Sequence, residues 1–327
     1  MKPRVLILGK RGGILQWYEH LLDTQPQLAD FDIRGFALNH NSLSERATKT
    51  LARALGKSTR QEMTTRNLAA VMAEFRPDVL VIADLFYLSE SMIELLNSFK
   101  PETRLVHWIG DFFDHRLLRT GALIDDFYFT DSGLVADAKR LGLASSHYLP
   151  LAYNPVLFSP PTDSARVNDL LFIGAWSPNR EKIIRQIELP MTVMGKGWER
   201  IKDTPHKVSA KKIPIAEVAR LYQTHACVLN IINSNNISCG VNMRCFEAPA
   251  CGALLITDAV ADLPLCFEDH EVASYNSVAE LVALQRTLMA QDTEKKAIAA
   301  AGTARVETNH SYAHRLQVIV AAALPPR

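Results

Sequence analysis

Short apolar runs alternate with amphipathic stretches along the whole chain. In the first half the runs are Val5–Leu8, Ile33–Ala37, Val79–Ala83, Arg104–Trp108, Asp126–Phe129 and Ser146–Leu149, all of strand length. Between them, Leu43–Leu55, Arg66–Phe75, Ser89–Phe99 and Ser132–Leu141 read as helices, with Ser89 and Asp131-Ser132 standing where N-caps belong. Continuous apolar strands alternating with helices predict a parallel sheet covered on both faces.

Pro150, Pro155, Pro160 and Pro161 then interrupt the pattern, a density of proline that suits a linker. The alternation restarts beyond it. Strands are predicted at Asp169–Ile173, Met191–Met194, Cys227–Ile231, Leu254–Ile256 and Val272–Tyr275. Helices are predicted at Arg180–Ile187, Ile215–Tyr222, Val278–Ala290, Glu294–Thr308 and Tyr312–Ala323. At 327 residues the chain is long for one hydrophobic core and ordinary for two. The economical solution is α/β, with two successive doubly wound domains at 1–152 and 168–308, a linker at 153–167, and a C-terminal helical segment at 309–327 expected to pack back on the first domain. Ligands of such sheets bind outside the carboxyl ends of the strands, so the cleft between the domains is the expected site.

Composition narrows the class without naming a chemistry. A formal net charge of +1 gives no global field for nucleic acid or an anionic membrane, and the small basic cluster Lys207, Lys211 and Lys212 reads as solvated surface. Val5-Leu6-Ile7-Leu8 is too short for a signal-peptide core, and no apolar run approaches the ~20 residues of a membrane span, so a cytoplasmic protein without a transmembrane segment is expected. The five cysteines, Cys227, Cys239, Cys245, Cys251 and Cys266, match no zinc spacing and are read as reduced, buried thiols.

Five segments carry polar groups where a parallel sheet would present them. Gly9-Lys10-Arg11-Gly12-Gly13 follows the first strand and is either an anion-binding glycine loop, with Gly12 and Gly13 as its centre, or a tight turn. His107-Trp108-Ile109-Gly110-Asp111-Phe112-Phe113-Asp114-His115 ends a strand with two carboxylates and two imidazoles, suited to a general base or a metal. The plainer alternative there is helix capping by Asp111 or Asp114, with surface histidines. Gly174 to Arg180 opens a helix after the first strand of the second half; Gly174 permits close backbone approach and Arg180 is placed to reach a phosphate, unless it is simply solvated. Met194-Gly195-Lys196-Gly197-Trp198 either lies against a nucleobase, with Lys196 turned to a diphosphate, or serves as a glycine turn.

The richest segment is Gly240 to Gly252, a loop, a short helix and a glycine stop, running into the strand Ala253–Ile256 and Thr257-Asp258. With a helix starting near Asn242, Arg244 offers a fork to a diphosphate, and Glu247, three residues on and on the same face, accepts hydroxyl hydrogen bonds from a ribose. The competing reading is an exposed Arg244–Glu247 pair contributing only ~0.3–0.5 kcal/mol.

These residues resemble a known family. Asn242-x-Arg244-x-Phe246-Glu247-Ala248-x-Ala250-Cys251-Gly252-Ala253, followed by Leu-Leu-x-Thr-Asp, is similar to the donor-site motif of the CgeB-like glycosyltransferases, relatives of the group 1 glycosyltransferases. Tyr148–Pro155 with Phe158, Phe172–Arg180, and His310-Ser311-Tyr312 with Arg315 resemble further family segments in the same order, so that the likeness spans about residues 104–319. It implies a GT-B fold of two Rossmann-like domains, with a nucleoside-diphosphate sugar held mainly by the second. Glu247 would hold either the donor ribose or the sugar, while Asn242 and Arg244 would face the diphosphate. Many group 1 enzymes carry two glutamates separated by seven residues; here the position eight before Glu247 is Cys239, so retention of anomeric configuration is not implied.

On this reading the chain transfers a sugar to an unknown acceptor (glycan, protein or small molecule) without a metal or other cofactor. Asp111 is the first candidate for the base that deprotonates the acceptor, and His107 the second. The alternatives are a catalytically inactive nucleotide-sugar-binding accessory protein, or a nucleotide-sugar epimerase or hydrolase on the same fold.

Overall fold

The apolar runs pair as parallel strands in two separate sheets in the computed structural model, which describes residues 2–12, 17–39, 60–162, 166–233, 235 and 237–324. The predicted helix Leu43–Leu55 and Gly13 of the first glycine loop lie outside these residues.

In the first unit, β1 (Arg4–Gly9), α1 (Trp17–Asp23), β2 (Asp32–Ala37), α2 (Arg60–Phe75), β3 (Val79–Ala83), α3 (Glu90–Asn97), β4 (Arg104–Ile109), β5 (Asp126–Phe129), α4 (Ser132–Arg140) and β6 (Ser146–Tyr148) follow one another. The strands lie in the order β2-β1-β3-β4-β5-β6, all parallel. The direction of winding therefore reverses between β1 and β3, which makes that gap the topological switch point. Every side chain of β3 is buried, as the unbroken run Val-Leu-Val-Ile-Ala requires of a strand covered on both faces. Leu6, Leu8, Leu80, Ile82, Leu105, Phe127 and Phe129 share one core, and each fully buried leucine stabilises it by about 2 kcal/mol. The predicted caps form: the Met92 amide donates to Ser89 Oγ at 3.3 Å and the Gly133 amide to Asp131 Oδ1 at 2.8 Å.

The second unit repeats the plan with β7 (Val167–Ile173), α5 (Pro178–Ile184), β8 (Met191–Met194), β9 (Lys207–Ser209), α6 (Ile215–Thr224), β10 (His225–Asn230), α7 (Arg244–Ala250), β11 (Leu254–Asp258), β12 (Ala273–Tyr275), α8 (Val278–Ala290) and α9 (Asp292–Asn309). Its parallel order is β12-β11-β10-β7-β8-β9, with the switch point between β7 and β10. Gly252, at φ +76°, stops α7: its amide bonds the Pro249 carbonyl at 2.7 Å and the Ala253 amide bonds that of Ala248 at 3.2 Å, a left-handed glycine termination.

By chain contacts the units comprise Met1–Leu149 with Tyr312–Arg327, and Pro150–Ser311. The last helix, α10 (Tyr312–Ala323), thus belongs to the first unit, where the Tyr312 ring lies 5.9 Å from that of Trp108 and 5.2 Å from that of His20. Part of the proline-rich stretch is folded rather than free. The Tyr153 amide bonds the His310 carbonyl at 3.0 Å, and Phe158 is fully buried beside Tyr222. Among the described residues no helix is long and apolar enough to cross a membrane.

Candidate functional site

Polar groups gather at the carboxyl edge of the second sheet, on either side of its switch point. Ser177 caps α5 by accepting the Arg180 amide at 3.3 Å, with Pro178 on the first turn, and this aims Arg180 inward. Its guanidinium bridges the ends of the two central strands. Nη1 donates to the Ala175 carbonyl beyond β7 at 2.9 Å, and Nη2 to the Ile231 carbonyl beyond β10 at 2.9 Å. It also lies over the Phe172 ring, 5.6 Å from the centroid. Arg180 is buried rather than solvated.

Arg244 opens α7 and brings a second guanidinium to the same ring, 5.8 Å from its centroid. Its Nη1 donates to Asn230 Oδ1, while its buried Nε has no partner among the described residues. The exposed Arg244–Glu247 pair therefore does not form; both groups face inward. Asn242 holds this arrangement from behind: its Oδ1 accepts the Arg244 amide at 3.1 Å and its Nδ2 donates to Asn230 Oδ1 at 2.9 Å. The Asn242 side-chain amide is thus engaged within the protein, by Asn230 and the Arg244 backbone. Asn230, at the end of β10, is fully buried and also donates to Thr257 Oγ1 at 2.9 Å.

The electrostatics of this corner favour an anion. Burial and the neighbouring Arg244 push Arg180 down to about 10, still charged at neutral pH, with Asp258 working the other way. Glu247 is 6% exposed, and burial raises its carboxyl to about 7 against the opposing pull of Arg244. Asp258 is raised by burial while its Oδ2 accepts the Ile232 amide at 2.7 Å. Two guanidinium charges over one ring thus face a half-neutralised Glu247 and one tethered Asp258, and a phosphate would relieve their mutual repulsion.

Glycines shape the neighbouring loops. A Cβ on Gly195, at φ +140°, would stand 2.2 Å from the Gly174 carbonyl oxygen, and one on Gly197, at φ +93°, would stand 2.9 Å from Trp176 Cβ. Trp198 Nε1 donates to that same Gly174 carbonyl at 2.7 Å. These glycines let the ends of β7 and β8 lie against one another. Lys196 is exposed between them, and its carbonyl accepts the Trp176 amide at 2.9 Å.

In the first unit the expected residues separate. Asp111 is half-buried beyond β4, its Oδ1 accepting the Phe112 amide at 3.1 Å. His107 is fully buried inside β4, with Nε2 3.0 Å from the Asp84 carbonyl, and burial lowers it to about 4. At neutral pH it is therefore uncharged. Asp114 caps the following turn and is held well below the usual carboxylate range by Arg116, while His115 is exposed. The Gly12 amide donates to Glu19 Oε1 at 2.5 Å and the Arg11 amide to Asn39 Oδ1 at 2.7 Å, so the described part of the glycine loop is a held turn rather than an open anion cradle.

Of the second unit's thiols, Cys227, Cys245 and Cys251 are buried and pushed up to about 12 by burial. Among the described residues Glu268, His270 and Glu271 stand close enough to share a cation, but Arg305 already bonds both carboxylates, at 2.7 Å each.

Asn230, Asp258 and Phe172 complete this corner, although the sequence pattern assigns none of them a role. Each has a signal in hindsight: an amide closing the apolar run Cys227–Leu229, a carboxylate closing β11, and an aromatic ring two residues before Gly174.

Residues 180–321 match the model of a family described as glycosyl transferase-like. No curated protein matches the chain. Solved structures of similar fold include Anabaena HepE in complex with UDP-glucose, at 11% identity and TM-score 0.63, covering 98% of each chain. Sucrose-phosphate synthase from Thermosynechococcus elongatus is similar at 14% identity and TM-score 0.64, again over 98% of each chain. A trehalose 6-phosphate synthase from Burkholderia multivorans aligns at 12% identity and TM-score 0.63, over 99% of this chain and 96% of its own. With two parallel six-stranded sheets and these structural neighbours, the chain has the GT-B fold, built from two Rossmann-like units.

Proposed function

We propose that the chain is a glycosyltransferase of the CgeB-like kind, moving a sugar from a nucleoside-diphosphate sugar to an acceptor hydroxyl without a divalent metal. The observation that carries this reading is the pair of guanidiniums, Arg180 and Arg244, over the Phe172 ring at the switch point of the second sheet. Glycosyl transfer builds negative charge on the departing diphosphate as the anomeric carbon becomes cationic. Fixed cations that stabilise that charge lower the barrier without reorganising. Arg244 supplies a buried Nε–H with no partner among the described residues, and Arg180 supplies a charge pinned by two carbonyls. Glu247, one turn along α7 from Arg244, takes the ribose hydroxyls, which donate best to its ionised form. The match of residues 180–321 to a glycosyl transferase-like family, and the UDP-glucose carried by HepE on the same fold, support the assignment.

The test is a thermal-shift screen against UDP, GDP, dTDP, CMP and their common sugars, with Arg244→Ala and Glu247→Ala alongside. A ligand at 100 times its Kd stabilises the fold by about 2.7 kcal/mol. The reading expects a shift with one nucleotide class that both variants lose. A cooperative melt unmoved by every nucleotide would overturn it, and a shift without turnover of any donor would favour an accessory binding protein.

A further inference from the structure

One buried amide grips the helix that carries Arg244. Asn230 closes β10 and is fully buried. Every polar atom of its side chain is engaged. Oδ1 accepts Asn242 Nδ2 at 2.9 Å and also Arg244 Nη1, while Nδ2 donates to Thr257 Oγ1 at 2.9 Å and to Cys245 Sγ at 3.3 Å. Thr257 is its register partner on β11, and the Asn230 carbonyl accepts the Tyr275 hydroxyl at 3.2 Å. Through one oxygen, the central strand thus ties down both the residue before the helix entry and the first residue of α7.

The chemical character of that oxygen matters as much as its place. In the same unit Arg185, Arg220, Arg286 and Arg305 each pair with a carboxylate. Arg180 is held by two carbonyls instead, and Arg244 by the Asn230 amide. A carboxylate fixes a guanidinium strongly but offsets its charge. An amide oxygen fixes it with no formal charge of its own. The carboxylates nearby are held back from the same task. Asp258 accepts the Ile232 amide at 2.7 Å, and Glu247 is buried with its carboxyl raised to about 7. Arg244 itself is half-buried, lies over the Phe172 ring, and keeps a buried Nε–H with no partner among the described residues. It is gripped from inside and keeps its charge toward the corner.

We propose that Asn230 is a positioning residue of the donor site, aiming Arg244 at the diphosphate while leaving the guanidinium charge undiminished, so that the site selects ligands by their diphosphate. This rests on the glycosyl-transfer reading above. Asn230 acts through Arg244 and not on the ligand directly. Its effect therefore falls on the diphosphate and spares the nucleoside.

The experiment measures Kd by calorimetry for UDP, dTDP and GDP, and for the matching nucleosides by competition, and reads the ratio of nucleoside Kd to diphosphate Kd. It compares wild type, Asn230→Asp and Asn230→Ser with Arg244→Ala and with the same two changes made in that background. In Asn230→Asp each neighbour can still donate to the new oxygen pair, because the Thr257 hydroxyl can turn its proton, so shape is kept and charge changes. Asn230→Ser adds no charge and loses the reach to Arg244. Asn230→Asp should lower the ratio by about 10- to 100-fold, the worth of one charge-assisted hydrogen bond, and Asn230→Ser by about fivefold, that of a neutral one. In the Arg244→Ala background neither change should move the ratio by more than about twofold, as expected when the partner of a coupled pair is gone. A ratio for Asn230→Asp within about twofold of wild type overturns the positioning role and leaves the donor site standing. An equal weakening of nucleoside and diphosphate, or a fall in the ratio that persists without Arg244, overturns it as well. Should Asn230→Asp not melt cooperatively, Asn230→Ser decides by the same criteria. Wild-type protein that binds none of the three nucleoside diphosphates overturns the donor reading itself, and the role of Asn230 with it.

Discussion

Replacing Glu247 with Gln removes one ionisable oxygen pair from the wall of the site and nearly nothing else. The wild-type carboxyl is buried and its pKa rises from 4.5 to about 7. The folded state therefore binds its proton more tightly than the unfolded chain. Stability from this group is fully present below about pH 4.5 and is lost as pH rises through about 7. At about 1.4 kcal/mol per unit, the complete loss is about 3 kcal/mol, of which about 2 kcal/mol falls between pH values of roughly 5.5 and 8.5. Glu247→Gln has no such loss. Its unfolding free energy relative to wild type should climb by about 2 kcal/mol over that window and level off above it, as measured by urea unfolding at a series of pH values, with the other titrating groups cancelling in the difference. Nucleotide affinity should move the opposite way. If ribose hydroxyls donate to the ionised carboxylate, the ratio of the Kd of Glu247→Gln to that of wild type should grow with pH in calorimetric titrations. A stability difference that is flat with pH would refute the buried, proton-retaining carboxyl. A flat Kd ratio with a sloping stability difference would refute only the ribose contact.

Two further predictions follow from the same unit. Gly195→Ala places a Cβ 2.2 Å from the Gly174 carbonyl oxygen at φ +140°, so it should destabilise the protein by about 3 kcal/mol and weaken nucleotide binding; an unchanged urea midpoint would refute the close approach of the two loops. With Cys227, Cys245, Cys251 and Cys266 buried and Cys239 half-exposed, a thiol-reactive chromophore should titrate one cysteine quickly in native protein and all five in denaturant. More than one fast thiol would show that the α7 region opens readily.

Hydrophobic patterning carried much of the fold because parallel strands covered on both faces are unbroken apolar runs. Val79–Ala83, Asp126–Phe129 and Met191–Met194 are strands over the residues the pattern picks out. Lys207–Ser209 escaped notice for the complementary reason: an edge strand of three residues, half-exposed and two-thirds polar, has no period to detect. The short helix Trp17–Asp23 lacks one as well, with Trp17, Tyr18, His20 and Leu21 all buried. The site was legible where residues cluster in sequence, as at Asn242, Arg244 and Glu247. It was not legible where strand order brings distant residues together. That Arg180 would span Ala175 and Ile231 depends on which strands become neighbours. The burial of His107 was equally hidden, because a polar residue late in a strand gives no sign in sequence that it bonds a backbone carbonyl.

The return of α10 to the first unit bears on how the chain is made. The second unit is one unbroken stretch, whereas the first is interrupted and needs residues from both ends of the chain. During synthesis, the second unit has its whole sequence before the first does. Trp17 and Trp108, whose rings lie 4.6 Å apart, both precede the second unit in the chain, yet Tyr312, which meets Trp108 edge-on, follows it. The half that is begun first is thus the later to be completed, because it waits for a helix that follows the whole of the second unit.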